Sequence, residues 1–93
     1  MPPSGAGLTD ETVNKLREEI TAIDRELVAL VNRRIETVTR LKRHKDQHGI
    51  AFVDHDRETQ MVADRVRENG GPLSEDGLRS FYAELLALTK REL

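Results

Sequence analysis

Apolar residues recur from Val13 through Leu16, Ile20, Ile23, Leu27 and Leu30 in alternating steps of three and four, and Val31, Ile35, Val38 and Leu41 broaden the stripe. That period marks one face of a helix. Nothing interrupts it before Gly49, so the pattern predicts one helix from about Thr12 to Asp46, with Thr9 or Asp10 as its N-cap and Glu11 in its first turn. Such a helix is about 50 Å long, whereas a compact sphere of 93 residues is only about 28 Å across. The seam exceeds what one short chain covers, and an intertwined dimer is expected.

Further along, "QHGIAFVDHD" breaks the period at Gly49 and carries a short apolar cluster, Ile50 to Val53, expected as an irregular loop docked on the helices. Asp54 or Asp56 can cap a second helix, with Glu58 near its N-terminal dipole and Met61, Val62, Arg65 and Val66 at helical spacing. Asn69, Gly70, Gly71 and Pro72 end it. Ser74 caps a third helix, whose apolar face is Leu78, Phe81, Tyr82, Leu85, Leu86 and Thr89 and which runs to Leu93. The opening "MPPSGAGL" has Pro and Gly but no period. Residues 1–10 are expected to form a flexible lead, and 11–93 one helical domain.

Composition supports this outline and removes several functions. Hydrophobic residues make up 37% and the aromatics are only Phe52, Phe81 and Tyr82, which favours an all-α fold of three helices per chain over a sheet. The net charge of −2 gives no global attraction to nucleic acid or anionic membrane. Cysteine is absent, so disulfide, thiolate and thiolate-metal chemistry are excluded. No signal-peptide pattern or spanning apolar run is present, and a cytoplasmic protein is expected.

One charge stands inside the seam. Arg34 stands where an aliphatic side chain belongs, and Lys45, three turns later at about 100° per residue, projects only roughly 20° away from it. Arg17 lies about 100° around the helix and some 25 Å along it from Arg34, so only a partner helix could bring Arg17 to the same small ligand. Taken singly, each charge also has a plain explanation. Arginines beside an apolar stripe lie along it with the head in water. The run Arg33, Arg34, Arg40, Lys42, Arg43 and Lys45 fits a solvated face, and it lacks the aromatic platforms of single-strand binders. Asp54 to Glu58, "DHDRE", fits a helix start, and Thr89 fits a core threonine bonded back to its own helix. His44, His48 and His55 straddle a helix end and a glycine loop, which is poor metal-ligand spacing. No metal is expected.

In combination, "LREEITAIDRELVALVNRR", then Lys45, then "DHDRE" resembles the all-helical, type II chorismate mutase family from Leu16 to Glu58, with a weaker similarity through the third helix. The resemblance implies an intertwined homodimer with two equivalent sites for chorismate. It implies an isomerase of phenylalanine and tyrosine biosynthesis that needs no cofactor and makes prephenate by an intramolecular Claisen rearrangement. Arg17 from the other subunit and Arg34 would clamp the carboxylates, which suits the guanidinium fork. Lys45 would stabilise charge on the ether oxygen. Glu58 would accept from the ring hydroxyl, Arg57 and Asp54 would complete the polar wall, and Thr89 stands where the family has a small hydroxyl residue at the substrate.

One position departs from that pattern. Where many members place a glutamine or glutamate that donates to the ether oxygen, this chain has Leu93, with Glu92 one residue away. The short chain and apolar end resemble the actinobacterial-type subgroup, whose members are activated by complex formation with DAHP synthase. Within the family's chemistry, isochorismate and 4-amino-4-deoxychorismate are alternative substrates. Outside it, the alternative is a non-catalytic helical dimerisation or nucleic-acid module with steeply salt-dependent binding.

Overall fold

A computed structural model describes residues 3–93, with side chains from Asp10 onward. Three helices account for the architecture in the expected order: α1 (Pro3–Gln47), α2 (His55–Glu68) and α3 (Glu75–Glu92). The described residues contain no strand. The fold is all-α.

The start of α1 differs from expectation. Residues 1 and 2 of the anticipated lead lie outside the described residues, but from Pro3 the chain is helical, so α1 begins well before Thr12. Neither Thr9 nor Asp10 caps it. Proline suits a first turn because its missing N–H would be unpaired there in any case, and the next proline is Pro72.

The chain divides into two compact units, residues 1–34 and 35–93. In the first, the seam is open: Leu16, Ile20, Ile23, Leu27 and Leu30 are each about half exposed, from 47% at Leu27 to 58% at Ile23. A single helix has no second surface to cover them.

In the second unit α2 packs against α3. Leu78, Leu85 and Thr89 form the buried stripe, spaced by seven and four residues along one face of α3. Burying a leucine contributes about 2 kcal/mol. Phe81, expected on this apolar face, is instead 46% exposed and meets Tyr82 edge to face. The connection between α2 and α3 is built by side chains. Asn69 accepts from the Gly71 N–H and donates to the Leu73 carbonyl, and the Ser74 hydroxyl then accepts from the Gly77 N–H to cap α3.

Candidate active site

The end of α1 folds back on itself, and this places Lys45. Gly49 has φ +65°, the left-handed conformation that glycine adopts without a Cβ penalty. The Ile50 N–H reaches the Lys45 carbonyl at 2.8 Å and the Gly49 N–H reaches that of Asp46 at 3.5 Å. These are the two bonds of a Schellman motif. The reversal brings the next residues alongside the last turn of α1, and the Lys45 ammonium donates to the Phe52 carbonyl at 3.2 Å. Its nitrogen also lies 6.0 Å from the centre of the Phe52 ring, with that of Lys42 at 5.8 Å. Phe52 is half-buried beside these two cations.

Two residues later Asp54 caps α2, its carboxylate accepting from the Arg57 N–H at 3.1 Å. Lys45, Ile50, Ala51, Asp54 and Asp56 thereby line one open hollow of about 550 Å³. One lysine and two aspartates line this space at the start of α2, so any attraction for an anion is local to the Lys45 ammonium.

The remaining expected residues fall as follows. Glu58 projects from the first turn of α2, half-buried, and its carboxylate pairs with the Lys90 ammonium of α3 at 2.8 Å. Arg57 is exposed beside it. Thr89 is buried, 4% exposed, and its hydroxyl donates to the Leu85 carbonyl at 2.7 Å. That is the back-bonded core threonine. Arg17 and Arg34 belong to the other unit. Arg34 is half-buried, while Arg17 is exposed and lines a separate shallow hollow with Asn14, Glu18 and Arg25. The His44 and His48 rings stack, their centres 4.2 Å apart.

Two residues at this site were not anticipated. Phe52 appeared only as part of an apolar cluster, although Gly49 signals the reversal that brings it to Lys45. Lys90 carried no signal, because its partner lies on another helix.

A family model described as chorismate mutase type II matches residues 16–92. The chain belongs to that family. Its members are isomerases, as the motif order implied. The chain is also similar to the T-protein of Haemophilus influenzae, with 37% identity over 82 residues that cover 83% of this chain. It spans only 22% of the length of that relative. Among solved structures, chorismate mutase (form I) from Thermus thermophilus superposes with a TM-score of 0.81 at 27% identity, over 84% of this chain and 98% of that one. In this chorismate mutase family chain, the matched segment contains all seven residues singled out from the sequence, Arg17 to Thr89. No helix among the described residues is long and apolar enough to cross a membrane.

Proposed function

We propose that this chain is a chorismate mutase, rearranging chorismate to prephenate in the cytoplasm as part of phenylalanine and tyrosine biosynthesis. The observation that carries the reading is the placement of Lys45: a half-buried ammonium, held by the Phe52 carbonyl, in a hollow at the junction of α1 and α2. Family membership supplies the substrate. In the reaction, the bond between a ring carbon and the ether oxygen breaks while a carbon–carbon bond forms within the same molecule. No proton or electron leaves. Catalysis then rests on holding a chair-like conformer and stabilising negative charge on the departing oxygen.

Lys45 donates to that oxygen, and Arg34 clamps a carboxylate. Glu58 accepts from the ring hydroxyl, with Arg57, Asp54 and Thr89 shaping the wall. Arg17 comes from a second copy, so the working form is a homodimer. The open seam of residues 13–30 supports this, since five large aliphatic side chains about half exposed on one helix call for an apolar partner. Sedimentation at micromolar concentration is expected to give a dimer, and Leu27→Glu a monomer without turnover. A wild-type monomer with full activity would sink the shared site.

Because Leu93 offers no donor to the ether oxygen, activity of the chain alone is expected to be low. Losing one such donor costs on the order of 3 kcal/mol, about a hundredfold in rate. DAHP synthase is the activating partner this reading proposes. The deciding experiment follows chorismate loss and prephenate formation with and without that enzyme. Absence of turnover in both arms overturns the mutase reading; high turnover unchanged by the synthase overturns only the activation.

A further inference from the structure

The ion pair between Glu58 and Lys90 differs from the helix-surface pairs around it. Lys42–Asp46, Arg65–Glu68, Arg67–Asp64 and Arg79–Glu75 each join residues three or four apart on one helix. Lys90–Glu58 joins α3 to α2, at 2.8 Å, with the carboxylate side chain only 25% exposed. Lys90 follows Thr89 directly, so the backbone that carries the ammonium is anchored by the buried stripe of α3. The contact occupies one carboxylate oxygen, Oε1. A carboxylate accepts at both oxygens, so Oε2 has capacity for another donor.

We infer that Lys90 is a specificity-determining residue, selecting a ring hydroxyl over a ring amine at Glu58. The inference rests on the proposed role of Glu58 as acceptor for the group on the substrate ring. A hydroxyl is neutral and donates to Oε2 while Lys90 holds Oε1. An alkyl amine at the same ring position is protonated near neutral pH, as a lysine side chain is. It would bring a second cation to a carboxylate already neutralised by the first. Glu58 without Lys90 would be an unbalanced anion that attracts an ammonium; Glu58 with Lys90 is a neutral pair that repels it in part. Discrimination therefore comes from a repulsive element placed beside the attractive one. Lys90 is 40% exposed, so solvent screens part of this repulsion, and the effect is expected to be about tenfold.

Lys90 acts through Glu58 and is not proposed to touch reacting atoms. The test uses wild type, Lys90→Met and Lys90→Arg, each alone and with DAHP synthase, with chorismate as substrate and 4-amino-4-deoxychorismate as competitor. Lys90→Met is expected to lower the inhibition constant of the amine about tenfold while changing the KM for chorismate by less than about threefold, and Lys90→Arg is expected to restore the wild-type value. Inhibition constants do not depend on the fraction of active protein, and Lys90 lies outside the buried stripe, so its removal leaves the packing of α3 intact. An inhibition constant that is unchanged or raised in Lys90→Met, with chorismate still turned over, overturns this inference alone. A wild type inert towards chorismate both alone and with DAHP synthase overturns the reading of Glu58, and this inference with it.

Discussion

The Lys45 ammonium donates to the Phe52 carbonyl, 3.2 Å away and seven residues along the chain. A backbone acceptor fixes the nitrogen without neutralising it, so the charge stays available to a developing oxyanion. Lys45→Met is expected to lower kcat by a hundredfold or more, the loss of about 3 kcal/mol or more of transition-state stabilisation. Circular dichroism and sedimentation should be unchanged. Phe52→Leu keeps the carbonyl and removes the ring, and its effect on kcat should be much smaller. Equal losses in the two variants would shift the role from the backbone acceptor to the aromatic face.

Asp54 has both a local and a functional reading, and they separate experimentally. As N-cap of α2 it accepts from the Arg57 N–H, and Asp54→Ala is expected to cost about 1 kcal/mol in urea unfolding. Asp54→Asn caps nearly as well without the charge. If activity survives in the Asn variant and falls in the Ala variant, the cap is what matters; if both lose turnover equally, the charge itself belongs to the polar wall.

A pH effect is expected away from the site. Gln60 donates to the Asp64 carboxylate at 2.9 Å, Arg67 donates to it as well, and both hold its pKa below the usual aspartate value. A depressed folded-state pKa contributes stability above the unfolded value, and that contribution is lost as pH falls through the folded one. Wild type should therefore lose more stability than Asp64→Asn between about pH 5 and about pH 2. Parallel losses in the two proteins would show that the pair adds nothing to folding.

Much of the fold is legible because it is periodic or punctuated. The seam from Val13 to Leu41 identifies α1, and Gly49, Asp54, Asn69 and Ser74 mark ends and starts that the structure reproduces through specific hydrogen bonds. The start of α1 escapes the pattern because "PSGAG" has weak propensity, while propensity alone does not stop a helix whose later turns are strong. Thr89 fits both a substrate contact and a back-bonded core residue in the sequence; its 2.7 Å bond to Leu85 realises the second, and the hydroxyl oxygen keeps the acceptor capacity the first would use. The Glu58–Lys90 pair is invisible there because periodicity describes each helix alone. Which turn of α3 lies against which turn of α2 depends on packing between them, and the sequence carries that only implicitly.

The reversal at Gly49 also bears on the order in which the molecule comes into being. Lys45 and Phe52 are joined by a loop of a few residues, and loops of that size close in roughly 10–100 ns. Pairing of two chains depends on concentration and takes milliseconds or longer. The cationic end of α1 can therefore take shape during the folding of a single chain, before a second copy arrives. Under the proposed roles of Lys45 and Arg17, each newly made chain enters assembly with its ether-oxygen partner already positioned, and dimerisation has only to deliver the distant arginine.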